Sequence, residues 1–160
     1  EDPDVILIGE MRDPATIETA LMAAETGHLV FSTIHTNSAI DSIDRIVGVF
    51  PEDKQPQIRM QLSMTLRAVL SQQLVPRAGG KGRAAACELM MLTPAIRNLI
   101  RDGKTPQMQS YLLSSAKEGS ITMDNFLIRM AKEGVITPQT AVDASQDPQE
   151  LREKLAAVQY

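Results

Sequence analysis

The stretch Asp4-Val-Ile-Leu-Ile-Gly-Glu10, followed at a distance by Leu29-Val-Phe-Ser-Thr-Ile-His35, decides the fold of this chain. Each apolar run is too short for a helix, so each predicts a strand that is covered on both faces of a sheet. Glu10 and His35 stand where these two strands end. The sequence therefore predicts two polar side chains at strand ends.

The segment between the two strands has the start and stop signals of a helix. Asp13 suits an N-cap, Pro14 suits the first helical turn, and Gly27 can end the helix in a left-handed conformation. A strand, a crossover helix and a second strand make a parallel pair. Ligands of open parallel sheets bind at the carboxyl ends of the strands, so Glu10 and His35 are expected to face one site.

The rest of the chain changes character near residue 92. Ser38 predicts the cap of a short helix that ends before Pro51, and the pattern over Glu52–Gln73 predicts one long helix. Leu74–Pro76 and Ala84–Met91 predict a strand pair joined by a glycine-rich turn. Helices are predicted over 95–102, 106–116, 122–133, 138–144 and 148–158. We therefore predict an α/β domain over residues 1–92 and a helical region over 93–160.

Composition restricts the function classes. With 160 residues and 43% hydrophobic content, the chain can bury one sizeable core. The net charge of −4 argues against a nucleic-acid partner, because binding to phosphates needs a basic surface. The single cysteine, Cys87, cannot form an internal disulfide and is typical of a reducing compartment. No run approaches the roughly 18 apolar residues that span a bilayer.

Glu10 and His35 are the candidates for chemistry. A carboxylate at a strand end can orient a water molecule on a terminal phosphate, although a surface glutamate in a turn has the same pattern. His35, beside Thr36, can contact phosphate as a neutral or a charged imidazole, and the sequence does not choose between them. His28 begins the second strand, at its opposite end, and a structural role suits it better. Arg12 suits either a contact with a neighbouring subunit or a surface salt bridge.

A helix after Thr93 has one apolar face and one polar face. Ile96, Leu99 and Ile100 form the packed face, which leaves Arg97, Asn98 and Arg101 to point elsewhere. The two arginines are four residues apart and share one side of the helix. That polar side is either solvated or a contact surface.

Three segments resemble motifs of the secretion ATPases that drive type II secretion and type IV pili. Ile6–Glu10 resembles their Walker B segment, and Thr26–Thr36 resembles their histidine box. Pro94–Arg101 is similar to a helix signature of the pilus retraction, or twitching motility, branch. The resemblance implies an α/β fold: the carboxyl-terminal part of a RecA-like P-loop ATPase core, followed by an all-helical region.

The resemblance also implies roles for individual residues. Glu10 would be the catalytic carboxylate, and Gly9, His35 and Thr36 would bind nucleotide. Many P-loop ATPases have a magnesium-holding aspartate where this chain has Gly9, so no residue is assigned as a metal ligand. Intersubunit contacts are the possible roles of Arg12 and His28. The residues expected to couple ATP turnover to retraction are Arg97, Asn98 and Arg101.

The implied whole protein is a motor ATPase that uses ATP and Mg²⁺. It would form a homo-oligomer, expected to be a hexamer, and contact an inner-membrane pilus platform protein. Its expected location is the cytoplasm, at the inner face of the bacterial inner membrane, with only peripheral membrane association.

Part of the family pattern has no counterpart in these residues. The chain opens one step before a core strand and contains neither the phosphate-binding loop nor the acidic box. We therefore expect a fragment, or a truncated gene product, of a longer protein, and we expect it to be inactive alone. Two alternatives remain. The parent can be a pilus-assembly or type II secretion ATPase, or these residues can be a catalytically dead interaction module.

Overall fold

A computed structural model of the chain describes residues 2–157. The strands in this range are β1 (Val5–Ile8), β2 (Leu29–Ser32), β3 (Ala68–Pro76) and β4 (Arg83–Met91). The helices are α1 (Pro14–Glu25), α2 (Ala39–Gly48), α3 (Gln55–Thr65), α4 (Pro94–Arg101), α5 (Met108–Ser114), α6 (Met123–Lys132), α7 (Pro138–Ala144) and α8 (Pro148–Ala156).

The chain divides into two compact units that interleave along the sequence. The first unit runs to Ala68 and resumes over Leu92–Tyr111, and the second contains Val69–Met91 and the described residues from Leu112 onward. Contacts thus group the β3–β4 hairpin with the later helices, and α4 with the first strands. The division into 1–92 and 93–160 stays a prediction about the domain limits of a whole protein.

The first unit contains the predicted parallel strand pair. β1 pairs with β2 in a register that sets Val5 opposite Leu29 and Ile8 opposite Ser32. α1 connects the two strands and packs on β2. Asp13 caps α1 as expected, since its carboxylate accepts a hydrogen bond from the Thr16 backbone at 2.9 Å. The helix brings the chain back to start β2 beside β1.

Only one face of this strand pair is covered, which corrects the expectation that both faces are buried. Ile6, Ile8, Val30 and Ser32 are half-buried, whereas the opposite face is open. On that face Val5, Leu7, Leu29 and Phe31 are 54%, 76%, 47% and 55% exposed. Continuous apolar strands are typical of sheets with two covered faces, and within the described residues no element packs on this one.

The predicted long helix over Glu52–Gln73 is wrong. α3 ends at Thr65 because Leu66 has an extended backbone, with φ −64° and ψ 134°. β3 then begins at Ala68, and its burial alternates with period two around the buried Ser71 and Val75. The apolar spacing of this segment fits a helix and a strand about equally well, and pairing with β4 decides for the strand.

The second unit packs the β3–β4 hairpin with helices. The strands are joined by residues 77–82, a connection too short for a parallel pair. The inward face of β4 carries Ala84, Ala86, Glu88 and Met90, and β4 packs against α6. α7 and α8 pack on α6 and complete the core. The helical pattern predicted beyond residue 94 is confirmed up to residue 157, and the predicted end of the last helix at residue 158 lies outside the described residues.

Throughout residues 2–157, none of the helices combines the length and the apolar character that a membrane span requires.

Candidate functional site

Glu10, Arg12 and His35 form one polar cluster in the first unit. The Glu10 Oε1 atom lies 2.7 Å from Arg12 Nε and 3.3 Å from His35 Nε2. The Glu10 side chain is 26% exposed, whereas the side chains of Arg12 and His35 are 76% and 82% exposed. The structure therefore brings together the two residues that the sequence placed at strand ends, with Arg12 beside them.

Hydrogen bonds beyond the strand ends hold this cluster in place. The Thr33 hydroxyl donates to the Gly9 carbonyl, and the Met11 amide donates to the Thr33 carbonyl at 3.0 Å. The two segments therefore stay side by side past Ile8 and Ser32, where β1 and β2 end. This extended pairing explains why residues 25 positions apart meet.

The charges in the cluster stabilise each other. The hydrogen bond from Arg12 lowers the pKa of Glu10, and the charges of Arg12 and His35 act in the same direction. The same hydrogen bond raises the pKa of Arg12. Glu10 is therefore a carboxylate at neutral pH, and it can accept a hydrogen bond from water. The described residues contain no group of three or more His, Cys, Asp or Glu that could hold a metal ion.

Thr36 does not point into this cluster. Its hydroxyl lies 2.6 Å from the Ser42 hydroxyl and 3.3 Å from the Ser38 carbonyl, at the start of α2. Ser38 caps α2 through a bond from the Asp41 amide at 3.0 Å. Gly9 contributes its carbonyl to Thr33, and there is open space where a side chain would stand. Nucleotide contacts of Gly9 and Thr36 remain predictions.

His28 is bound to the end of α1. Its Nδ1 atom lies 3.0 Å from the Ala23 carbonyl, and because a carbonyl only accepts, Nδ1 carries the hydrogen. Thr26 Oγ1 lies 3.3 Å from the same nitrogen. This geometry favours the structural role over a contact with another subunit.

α4 holds the three residues predicted to couple turnover to movement. The expectation that all three point away from the packed face fails for Arg97, whose Nη1 donates to the Ser63 carbonyl on α3 at 2.7 Å. Burial, and then the nearby charge of Arg67, lower the pKa of Arg97. Arg101 is about half exposed, and among residues 2–157 it pairs only with Asp102, at 3.3 Å. Asn98 is exposed.

A large cavity in the first unit reaches Met11, the residue between Glu10 and Arg12. Its volume is about 790 Å³, and β2, α1 and the segment from Leu62 to Ala68 line it. The Ser32 hydroxyl in its wall is buried and has no hydrogen-bond partner among the residues that the structure describes. Glu10, Arg12 and His35 do not line this cavity.

Sequence reasoning missed two polar residues that the structure uses. Ser42 is buried, and its hydroxyl shares a hydrogen bond with the Thr36 hydroxyl. The sequence signal for this residue was its position on the inward side of α2, four residues after the cap Ser38. Glu88 is fully buried, and its carboxylate accepts a bond from the Met123 amide at 3.1 Å. Period-two alternation with Ala84, Ala86 and Met90 marks Glu88 as inward.

Residues 1–142 match the family described as type II/IV secretion system protein. The chain belongs to this family. The predicted fold class is thereby confirmed: the residues form the carboxyl-terminal part of a RecA-like ATPase core and a helical region.

Within this family, the chain is similar to proteins of twitching motility and pilus retraction. The chain is 48% identical to the twitching motility protein of Neisseria gonorrhoeae, over 94% of this chain and 40% of that protein. It is 49% identical to the type IV pilus retraction ATPase PilT of Pseudomonas aeruginosa, over 93% of this chain and 43% of that protein. The crystal structure of the pilus retraction motor PilT with bound ADP matches with a TM-score of 0.84 and 52% identity, over 96% of this chain and 43% of that one. The chain spans about two fifths of the length of these relatives.

Proposed function

We propose that this chain is part of a motor ATPase that couples ATP hydrolysis to retraction of type IV pili. The observation that carries the proposal is the meeting of Glu10 and His35 at the carboxyl ends of two parallel strands. Relatives that are named for twitching motility and pilus retraction, at 48% and 49% identity, support the same reading.

In the proposed reaction, Glu10 orients the attacking water. The water oxygen forms a bond to the γ-phosphorus of ATP, and the bond from that phosphorus to the β,γ-bridging oxygen breaks. The electron pair of the broken bond stays on ADP, and the proton released by the water ends on inorganic phosphate or solvent. Glu10 accepts a hydrogen bond from the water during this step, and His35 contacts the γ-phosphate.

The whole protein would bind ATP with Mg²⁺ and assemble into a ring, which we propose to be a hexamer. Its partner would be a pilus platform protein at the cytoplasmic face of the inner membrane. A relative whose solved structure contains ADP supports the nucleotide part of this proposal. The net charge of −4 supports a partner other than nucleic acid.

The test is Glu10→Gln in the whole protein. The amide keeps the size of the side chain but is a poor acceptor for the water proton, so kcat should fall by about 10²-fold or more, with nucleotide binding and ring assembly unchanged. Glu18→Gln is the matched control, because Glu18 is an exposed glutamate on α1 whose ion pair with Lys54 is long, at 3.8 Å. We expect the 160-residue chain alone to show no hydrolysis.

Hydrolysis by Glu10→Gln at a rate within about threefold of the wild type would reject Glu10 as the catalytic carboxylate. A whole protein that binds no ATP would reject the motor function and favour an interaction module. Hydrolysis with pilus extension lost and retraction kept in cells would favour an assembly ATPase.

A further inference from the structure

Two side chains contact the same carboxylate oxygen of Glu10. Arg12 Nε and His35 Nε2 both contact Oε1, at 2.7 and 3.3 Å. Oε1 is therefore the carboxylate oxygen that Arg12 and His35 share.

From this geometry we propose that Arg12 is a positioning residue, which fixes Glu10 of the same subunit through Oε1 so that Oε2 faces the attacking water. The proposal rests on the proposed ATPase function and adds a role for a residue that does not touch the substrate. It replaces the reading of Arg12 as a contact to a neighbouring subunit.

The local backbone supports an interaction within one chain. Arg12 follows Glu10 by two residues in the segment between β1 and α1. The Met11 amide, between them, is fixed by the Thr33 carbonyl at 3.0 Å. Both side chains of the pair are thus carried by one anchored segment, and their contact needs no second subunit.

Exposure indicates what the contact contributes. Arg12 is 76% exposed, and exposed ion pairs stabilise folded proteins little. A structural role in folding is therefore a weak explanation for this pair. Holding a side chain in a productive geometry, in contrast, affects the rate of a reaction strongly even where it adds little to stability.

The first test is Arg12→Gln in the whole protein, with Arg152→Gln as the matched control on exposed α8 surface. We expect Arg12→Gln to lower kcat by about 10- to 100-fold, because Glu10 is no longer held, and to leave the KM for ATP within about twofold. Arg12→Lys should recover part of the lost rate, since it keeps a cation near Oε1. Thermal stability should not change.

The pH profile is a readout that a merely structural role would not move. In the described chain the titratable groups facing Glu10 are Arg12 and His35. Arg12 lowers the pKa of Glu10, so its removal should raise that pKa toward the ordinary value of 4.5. The acid limb of kcat should then move to higher pH in Arg12→Gln and stay near the wild-type position in Arg12→Lys.

Mixed rings of Arg12→Gln and Glu10→Gln subunits distinguish action within a subunit from action across an interface. If Arg12 serves its own subunit, no subunit in the mixture has both residues, and activity stays at the level of the separate variants. If Arg12 acts on the neighbour, some interfaces regain an intact pair and activity returns. Rings that mix wild type and Glu10→Gln give the reference activity.

Recovery in the mixed rings, or a kcat of Arg12→Gln within about twofold of wild type, overturns the proposal. Neither result removes the proposed ATPase function, because the wild-type protein still hydrolyses ATP and Glu10→Gln still does not. If the wild-type whole protein did not hydrolyse ATP, that result would reject the proposed ATPase function and, with it, the positioning role of Arg12.

Discussion

Arg97 and Arg101 lie one helical turn apart on α4, but their surroundings differ. Arg97 is half-buried and reaches across to the Ser63 carbonyl at 2.7 Å, where it satisfies a carbonyl near the end of α3. Arg101 is about half exposed, and within the described part of the chain its only ion pair is with its neighbour Asp102. The first arginine therefore holds two helices together, whereas the second is available for a partner.

We expect single substitutions to separate these two roles. Arg97→Ala removes a hydrogen bond from a charged group and should lower the free energy of unfolding by about 1–2 kcal/mol. Arg101→Ala should change it by no more than about 0.5 kcal/mol, because an exposed ion pair contributes little. Thermal or chemical unfolding of both variants measures the difference, with Arg152→Ala as an exposed control.

The same pair tests the proposed coupling to movement. In cells, Arg101→Ala in the whole protein should reduce twitching while the purified ring keeps much of its ATP hydrolysis. Because this variant is expected to fold normally, lost motility cannot be attributed to unfolding. Wild-type twitching by Arg101→Ala would leave α4 with a packing role only.

The start of α1 shows how one side chain fixes an element. The Asp13 carboxylate accepts from the Thr16 amide and the Thr16 hydroxyl, both at 2.9 Å. Both bonds lower the pKa of Asp13 below its ordinary value of 3.8, and the bond from the Thr16 backbone amide has the larger effect. α1 in turn sets where β2 begins, so the cap acts at a distance on the segment that carries His35.

This cap predicts a pH dependence of stability. Since the folded pKa of Asp13 is the lower one, its stabilisation is complete above 3.8 and is lost as the pH falls through the folded value. Asp13→Asn keeps a good N-cap without a titrating group. We therefore expect the melting temperature of the variant to depend less on pH below 4, measured by circular dichroism. Parallel curves for the two proteins would contradict this.

The sequence predicted elements well where local signals agree with tertiary packing. The caps Asp13 and Ser38 place α1 and α2 correctly. The prediction failed over residues 66–73, because their apolar spacing fits both the helix period and the strand period. Pairing with β4, which is distant in the sequence, decides for the strand. The contact between Arg97 and Ser63 was equally inaccessible, because it joins residues 34 positions apart. The meeting of Glu10 and His35 was predictable, because parallel strands end at the same edge.

The open face of the β1–β2 pair is a property of the whole molecule. Leu7 and Phe31 are opposite each other in the register, and both are more than half exposed. Adjacent apolar side chains of this size form a patch of the kind that proteins cover by an interaction. The relatives are more than twice as long as this chain, so we expect their additional residues to include the cover.

The double substitution Leu7→Thr with Phe31→Thr tests this expectation, because its effect should reverse with context. Threonine suits a strand, so in the 160-residue chain we expect an unchanged melting temperature, weaker binding of a hydrophobic dye and less aggregation. In the whole protein, where the face is covered, the same change should lower the free energy of unfolding by about 3–6 kcal/mol, at roughly 1.5–3 kcal/mol for each large side chain. Ile17→Thr is the control in the 160-residue chain. Ile17 is 1% exposed, so this variant should melt at a lower temperature and bind more dye.

If the double substitution lowered stability equally in the 160-residue chain and in the whole protein, the face would already be packed within these residues. If it lowered stability in neither, the face would stay exposed in the whole protein.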